Sequence, residues 1–362
     1  MSKRNNLFHF ATSELSQDAF LGWLLSFAMK EHGQEDAALT QCARALLKKM
    51  YKGMKPDESV TSVELQKDNI DVLVTMGDHS IIIEDKTFTG QHDNQIERYK
   101  RELEEKRPEA KILTVYYKID DQCNSEAVDC NLFRRDILKI LQPFVNKTNN
   151  AIFRDYVEHL QEMEDEAESY ATPEHANMLE WTGTMHTRFF QHLREQGIVQ
   201  PKDSVGWGYV SNPTGGFFGL WWHWLTEEQF ASMGFAEDSP MGKYVGEIYL
   251  QIENAANPKN SAENANIIAL KYSVSAGKLT PADWDVVQQI RWGLYEKMKE
   301  YFNHFNVSYQ KKTFRTGTFM SVGYVPYNMT NYKERIQEMQ KALDEIVTRY
   351  HYVIGKGFQE NP

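Results

Sequence analysis

The pattern of apolar and polar positions is most informative from residue 69 to residue 86, where two apolar segments are separated by a polar turn. Two segments rich in Ile and Val, 70–76 and 80–86, have the composition of β-strands. Gly77-Asp78-His79 between them is typical of a tight turn, so the sequence predicts a β-hairpin. The second strand is apolar until it ends in Glu84-Asp85-Lys86. Because an unpaired buried charge is unfavourable, these charges predict partners at this end of the hairpin.

The register of this hairpin decides which charged side chains meet. The turn has an even number of residues if it consists of Asp78-His79 or of residues 77–80. Asp71 then lies opposite Lys86. Because side chains alternate between the two faces of a strand, Asp71, Glu84 and Lys86 would leave the sheet on one side. An odd turn would send Asp71 to the other face, so the shared face depends on an even turn.

The segments around the hairpin alternate between helical and extended patterns. Thr12 or Ser13 can cap a nearly all-apolar helix that begins near Glu14 and would be buried on most sides. Further elements are predicted as follows: helices over residues 35–52, 94–106 and 132–144, strands over 60–66 and 111–117, and an acidic helix over 154–168. This order of helices and strands favours an α/β layer fold.

A change of composition after the acidic helix indicates a domain boundary, and Pro173 marks its end. The length of 362 residues also favours two domains, which we place at residues 1–170 and 171–362. The second half predicts aromatic-rich strands, a helix over residues 281–302 and a closing helix over 332–352. This pattern is typical of an α+β domain with a mostly antiparallel sheet.

The amino-acid composition argues against a secreted, membrane-spanning or disulfide-stabilised protein. The chain is 41% hydrophobic, which supports packed cores, and it contains neither a secretion signal nor an apolar run that could span a bilayer. We therefore expect a cytoplasmic protein without membrane association. The three cysteines do not have the spacing of a disulfide framework or a metal site. The net charge of -11 argues against nonspecific coating of nucleic acid, although a locally basic groove is compatible with it.

Asp71, Glu84 and Lys86 on one face have two interpretations. Carboxylates together with a backbone carbonyl are the oxygen ligands that Mg²⁺ prefers, and a neighbouring lysine can position an attacking water. The structural interpretation is a cross-strand salt bridge between Asp71 and Lys86, with Glu84 solvated. The spacing alone does not decide, because Glu104-Glu105-Lys106 repeats it in a predicted exposed helix. Glu14 also has two interpretations: it either stabilises the helix N-terminus as a negative charge or reaches the cluster of Asp71 and Glu84.

The order of these residues resembles the PD-(D/E)XK nuclease superfamily. Asp71 is followed by Glu84-Asp85-Lys86 and by Gln95-x-x-x-Tyr99, and this last helix is similar to that of the RecB-like branch. The segment Glu14–Leu25 resembles the first helix of an uncharacterised bacterial group in the superfamily. The resemblance covers roughly residues 7–145. It implies a restriction-endonuclease-like domain with a mixed central sheet flanked by helices.

The resemblance also implies a role for each candidate residue. Four groups would bind Mg²⁺, or Mn²⁺ in its place: Asp71, Glu84, the backbone carbonyl of Asp85, and Glu14. Lys86 would position the attacking water. Gln95 and Tyr99 would support the site or contact the substrate backbone.

The expected function is a metal-dependent nuclease that hydrolyses phosphodiester bonds of DNA, with RNA as the other candidate substrate. The alternative is a catalytically inactive scaffold that binds nucleic acid or protein in a bacterial defence or regulatory system. Hydrolysis of a small phosphoester is a third hypothesis, which the lack of a phosphate-cradling glycine loop disfavours. The second domain would recognise substrate or a partner.

Two features of the second domain have both a binding and a structural interpretation. Its tryptophans could stack on unpaired bases, although aromatic residues at strand spacing usually form core. Lys311, Lys312 and Arg315 could form a phosphate-binding edge, or simply the solvated edge of a strand.

Overall fold

The chain divides into two units, Met1–Glu168 and Ser169–Pro362. The computed structural model describes residues 5–55, 58–87, 94–123, 126–175, 177–201, 204–212, 215–235, 241–244, 246–255, 265–274, 279–311, 314 and 317–361. Within these ranges, no helix is both long enough and apolar enough to cross a membrane.

The first unit is a mixed five-stranded sheet with helices on both faces. A 3-10 turn, Leu7–His9, precedes the helices α1 (Glu14–Ser26), α2 (Ala37–Met50), α3 (Gln95–Lys106), α4 (Arg134–Leu141) and α5 (Ala151–Glu168). The strands are β1 (Val60–Lys67), β2 (Ile70–Met76), β3 (His79–Lys86), β4 (Lys111–Lys118) and β5 (Cys130–Phe133). They lie in sequence order, with β1, β2 and β3 antiparallel and β3, β4 and β5 parallel. The predicted α/β fold with a mixed central sheet is confirmed.

The alternation of side chains along β2 and β3 assigns their residues to two faces. Val74 and Ile81 belong to the large core that the sheet forms with α1, α2, α4 and α5. Leu73 and Ile82 point the other way and pack against Leu103 of α3. Asp71 and Glu84 lie two positions from Leu73 and Ile82, so they share the α3 face.

The first helix carries Glu14 to the carboxyl end of β3. The hydroxyl of Ser13 accepts a hydrogen bond from the backbone N–H of Ser16, which caps α1 at its predicted start. Phe20 and Leu24 are buried, and α1 packs against β1, β2 and β3. The apolar side chains therefore fix the helix on the sheet, and its first turn lies beside the charged end of the hairpin.

The turn between β2 and β3 consists of Gly77 and Asp78, because Met76 pairs with His79. The predicted turns of Asp78-His79 or of residues 77–80 are wrong, and the register moves by two residues. Val72 pairs with Ile83, and the same register places Asp71 opposite Glu84 instead of Lys86. The physical reason is Gly77, whose φ of +57° supplies the left-handed conformation that a tight hairpin turn needs at its first position. The turn is nevertheless even, so the three charges stay on one face.

The strand β5 is absent from the sequence prediction, which assigned its last two residues to a helix. The helix α4 begins only at Arg134. The short strand follows Asp129, whose carboxylate accepts hydrogen bonds from the backbone N–H and the hydroxyl of Thr114 at 2.8 and 2.9 Å. This edge strand has only four residues, of which Leu132 alone is fully buried, so it lacks the apolar run by which strands are recognised in a sequence.

The second unit contains a six-stranded antiparallel sheet. Its helices are α6 (Gly183–Glu195), α7 (Glu227–Phe230), α8 (Pro281–His304) and α9 (Tyr332–Arg349). Its strands are β6 (Val205–Asn212), β7 (Gly215–Trp222), β8 (Glu247–Ala255), β9 (Ala265–Ser273), β10 (Gln310–Lys311), β11 (Phe319–Tyr327), β12 (Tyr350–Val353) and β13 (Gly357–Glu360). The sheet order is β10-β11-β9-β8-β7-β6, and β12 and β13 form a separate hairpin. The prediction of an α+β domain with a mostly antiparallel sheet is confirmed.

Two details of the second unit concern earlier predictions: the end of the closing helix and the surroundings of Lys311. The closing helix ends at Arg349 instead of reaching residue 352, because the β-forming segment Tyr350–Val353 pairs with β13. The ammonium of Lys311 lies 3.6 Å from the centre of the Trp292 ring, an arrangement that stabilises a cation without any phosphate. Lys312 and Arg315 lie outside the described residues.

Candidate active site

The start of β2 and the end of β3 lie side by side and bring three charged side chains onto the α3 face of the sheet. Asp71 is the second residue of β2, and Glu84 and Lys86 belong to the last three residues of β3. Glu84 is fully buried, whereas the side chain of Asp71 remains 16% exposed. The structural interpretation with a solvated Glu84 is therefore wrong.

The ammonium of Lys86 lies among four oxygen-bearing groups. Its Nζ is 2.7 Å from Glu84 Oε1, 3.5 Å from Asp71 Oδ2 and 3.9 Å from Glu14 Oε2. It also donates a hydrogen bond of 2.9 Å to the backbone carbonyl of Asp85. These are the four groups that the resemblance assigns to a metal, and the fold brings them together around one cation.

The three carboxylates of this cluster are separated by that ammonium. Within the described part of the chain, the oxygens of Asp71, Glu84 and Glu14 do not all lie within 4.8 Å of one another. Glu84 Oε2 is buried and has no hydrogen-bond partner among the described residues. A buried carboxylate oxygen of this kind is stabilised by a cation, so the all-oxygen set suits a hard divalent ion once Lys86 moves aside.

The electrostatics of the cluster follow from burial. Desolvation raises the pKa of Glu84 to about 7, although its hydrogen bond to Lys86 acts in the opposite direction. Burial by itself would lower the pKa of Lys86, but the hydrogen bond and charge of Glu84 and the charges of Asp71 and Glu14 outweigh it. The pKa of Lys86 therefore lies above its ordinary value, and the lysine is fully charged near neutrality.

Asp71 is held by two donors from neighbouring strands. Its Oδ2 accepts a hydrogen bond of 2.9 Å from the backbone N–H of Asp85, and its Oδ1 accepts one of 3.3 Å from Gln66 Nε2. Gln66 has a φ of +52°, a left-handed conformation that is unfavourable for a residue with a Cβ. The same amide nitrogen donates to Asp18 Oδ2 at 2.8 Å. Gln66 therefore joins the Asp71 carboxylate to the first helix.

The side chain of Asp85 points to the opposite face and docks on α1. It is fully buried, and its Oδ1 accepts a hydrogen bond from Gln17 Nε2. Burial raises the pKa of Asp18 to about 6. Burial and the neighbouring charge of Asp18 raise the pKa of Asp85 well above its usual range. The hydrogen bond from Gln17 to Asp85 ties α1 to the strand that carries Glu84.

Glu14 stands at the open side of the cluster. Its side chain is 36% exposed, and its Oε1 accepts hydrogen bonds of 3.4 and 3.5 Å from the backbone N–H and the hydroxyl of Thr87. The hypothesis that Glu14 reaches the acidic cluster fits these contacts better than a role at the helix terminus alone. Glu14 is therefore the most exposed of the three carboxylates.

All residues of this cluster lie in a part of the chain that matches a protein-family model. Residues 5–183 match the model of the PD-(D/E)XK nuclease superfamily. This part of the chain belongs to that superfamily. Comparison with curated proteins and with solved structures gave no match. Members of the PD-(D/E)XK superfamily are in general nucleases that use divalent metals, so the match supports a nuclease-type function, a divalent metal and a nucleic-acid substrate in general terms.

The Gln-x-x-x-Tyr helix of this PD-(D/E)XK domain covers the α3 face of the sheet. Gln95 Nε2 donates a hydrogen bond of 2.8 Å to the hydroxyl of Tyr99. The Tyr99 ring is 4% exposed and packs with Leu73 and Ile82. These contacts favour a supporting role for Tyr99, in which it fixes α3 on the sheet, over direct contact with substrate.

Several polar residues around the PD-(D/E)XK site were not predicted. Gln17 and Asp18 follow Glu14 by three and four positions, so their helical spacing was a usable signal. Gln66 gave no signal, because only its left-handed backbone brings it to Asp71. Lys118 pairs with Lys86 in the parallel register and is 4% exposed, so it places a second buried lysine on the α3 face. Its position at the end of an apolar strand repeats the pattern of Lys86.

Proposed function

We propose that this protein is a nuclease that hydrolyses phosphodiester bonds of DNA with the help of Mg²⁺. The observation that carries the proposal is the convergence of Asp71, Glu84, Glu14 and the Asp85 carbonyl on the Lys86 ammonium, within a chain that belongs to a nuclease superfamily. A fully buried glutamate, with one oxygen lacking a described partner, supports a cation at this point.

Asp71, Glu84 and the carbonyl of Asp85 would hold the ion, and Glu14 would complete or orient its ligand shell. Hard oxygen donors of this kind suit Mg²⁺, with Mn²⁺ as a substitute. When bound, the ion would lower the pKa of an attacking water and offset negative charge on the phosphate.

Lys86 has two tasks in this proposal. Without the ion, its ammonium neutralises the buried Glu84 at 2.7 Å. For the ion to bind, the ammonium must leave the centre of the acids, and its side chain then reaches the attacking water or the phosphate instead. Asp71 is kept in place by the Asp85 N–H and Gln66, so its carboxylate does not need to be ordered at the moment of binding.

The substrate class and the role of the second unit extend the proposal. We propose DNA as the substrate and assign recognition of substrate or of a partner to the unit Ser169–Pro362. The net charge of -11 requires that any nucleic-acid groove be locally basic.

The test is cleavage of linear, circular and single-stranded DNA and of RNA by the purified full chain in Mg²⁺ or Mn²⁺. We expect cleavage of DNA that is abolished in Lys86→Ala. The matched controls are Glu104→Gln and Lys106→Ala, which alter the same Glu-x-Lys spacing on the exposed face of α3 and should cut like the wild type. Undiminished cleavage by Lys86→Ala would overturn the catalytic assignment, and preferred cleavage of RNA would overturn the choice of DNA.

The inactive scaffold is distinguished by calorimetry. The proposal expects Mg²⁺ or Mn²⁺ binding that is lost in Asp71→Asn and Glu84→Gln. Binding of neither ion, together with no cleavage of any substrate, would favour the scaffold.

A further inference from the structure

The first unit carries a second cluster of metal-ligand side chains that shares no residue with the candidate active site. It consists of His9 in the 3-10 turn Leu7–His9 together with His159 and Glu162 of α5. One ligand atom from each of the three residues lies within 4.8 Å of the others. His9 Nε2 is 2.5 Å from Glu162 Oε2.

The two α5 residues are neighbours because of their spacing. His159 and Glu162 are three positions apart, so both project from one face of the helix. The side chains of His9 and Glu162 are 32% and 33% exposed, which leaves room for water as a further ligand. The cluster is therefore both assembled and accessible.

Contacts outside the three residues fix the 3-10 turn on α5. Asn6 Nδ2 donates a hydrogen bond of 2.8 Å to the backbone carbonyl of Asp155. The backbone N–H of Leu7 donates one of 3.0 Å to the Asp155 carboxylate. The buried Phe8 ring lies edge-on to Tyr156, with centroids 5.0 Å apart, and stacks on His159 at 6.2 Å. His9 is thus held near its partners by its sequence neighbours, so little ordering is required for a metal to bind.

The donor set differs in kind from that of the active site. Two imidazoles and one carboxylate suit Zn²⁺ and related transition metals, which take nitrogen ligands at about 2.0–2.1 Å and often keep a water in the fourth position. Mg²⁺ prefers oxygen ligands and competes poorly for such a set. We propose that His9, His159 and Glu162 form a binding site for Zn²⁺ or a similar transition-metal ion that clamps the segment before α1 onto α5.

The clamp acts on the element that carries Glu14. The turn Leu7–His9 is followed after four residues by α1, so a metal that ties His9 to α5 also restrains the start of that helix. A ligand that binds only the folded chain raises its thermal stability, and at 100 times its dissociation constant the expected rise in Tm is about 5–10 °C.

The test is calorimetric titration of the metal-free full chain with Zn²⁺ in excess Mg²⁺, which occupies the oxygen-only site, followed by Co²⁺ spectroscopy. We expect one Zn²⁺ per chain, visible Co²⁺ bands of a site with nitrogen ligands, and a higher Tm. His159→Ala and Glu162→Gln should each weaken binding at least about tenfold, because each removes a ligand. His9→Ala, an exposed position, repeats the test if either α5 variant fails to fold without metal.

Two controls separate this site from look-alikes. His32 and Glu35 form a similar pair at 2.7 Å but lack a third ligand among the described residues, so His32→Ala should bind Zn²⁺ like the wild type. Asp78→Asn removes one member of the cluster Glu58, Asp78 and His79, where Lys111 already pairs with Asp78 at 2.9 Å. Loss of binding in Asp78→Asn instead of His159→Ala, or no Zn²⁺ binding at all, would overturn the proposal.

Discussion

Replacement of the buried Glu84 by glutamine should stabilise the metal-free protein while it destroys the proposed metal site. Burial raises the pKa of Glu84 to about 7, whereas an unfolded chain holds this carboxyl at its ordinary value of 4.5. Between these values the folded protein binds the proton more tightly, so its stability falls as pH rises from 4.5 through 7. Glutamine copies the shape of the neutral carboxyl and does not ionise.

The size of the effect follows from the pKa difference. One pKa unit corresponds to about 1.4 kcal/mol, so above pH 7 the ionised Glu84 lowers the free energy of unfolding by about 3 kcal/mol. Near pH 5 the carboxyl is neutral in the fold, and the difference between wild type and Glu84→Gln shrinks to about 1 kcal/mol or less. Titrating groups that do not contact Glu84 are common to the two proteins and cancel.

The assay is urea denaturation at pH 5 and pH 8 in the presence of a chelator, followed by far-UV circular dichroism. With a slope of about 1–3 kcal/mol per molar urea, Glu84→Gln should raise the midpoint at pH 8 by about 1–3 M at an unchanged slope. Seven of the eight tryptophans lie after residue 168, so their fluorescence monitors the second unit as an internal control. Glu104→Gln, on the exposed face of α3, should leave the midpoint unchanged.

Two results would refute this reasoning. Equal or lower stability of Glu84→Gln at pH 8 would show that the buried carboxylate is fully compensated by Lys86. The same gain at both pH values would show that ionisation is not its cause. Saturating Mg²⁺ should reverse the order of stability, because the proposed site requires an ionised Glu84 to bind the ion.

Three further predictions concern Lys86, Gln66 and the turn residue Gly77. Lys86→Met should cut no DNA but bind Mg²⁺ several-fold more tightly in calorimetry, because a competing positive charge is removed; weaker binding would contradict the proposed displacement of the ammonium. Gln66→Ala should weaken Mg²⁺ binding about tenfold and leave cleavage at saturating Mg²⁺ nearly intact. Of the variants Gln66→Ala and Gln66→Gly, the glycine variant should have the higher free energy of unfolding by about 1 kcal/mol, because glycine accepts φ > 0. Gly77→Ala should lower the free energy of unfolding in urea by about 1 kcal/mol and Gly77→Asn by less, because asparagine tolerates the left-handed turn; equal losses would contradict this.

The sequence determined most of the first unit because its signals are local. Runs of apolar, β-branched residues identified β2 and β3, and Thr12 or Ser13 as a cap indicated the start of α1, where the structure has Ser13. The shared face of Asp71, Glu84 and Lys86 was predicted on the condition of an even turn; the structure has an even turn, although the predicted register was wrong by two residues. The assignment of side chains to faces is unchanged by this error, because side chains alternate with a period of two and a register shift of two residues returns each one to the same face.

Local signals failed where the structure of a segment depends on its contacts with another segment. The strand β5 forms by pairing with β4, and the end of α9 is set by pairing between β12 and β13. Sequence patterns describe what a segment favours alone, whereas these segments are fixed by neighbours brought in by the fold.

The sequence by itself indicated the residues of the candidate active site, and the tertiary structure decided how they are arranged. Burial of Glu84 on the α3 face, with the pKa rise it causes, and the central position of the Lys86 ammonium depend on the packing of the helices against the sheet. The link from Asp71 through Gln66 to Asp18 joins a strand, a left-handed residue and a helix, 53 positions apart at its ends. Charge, desolvation and hydrogen bonding act through space, so only the folded chain sets their values.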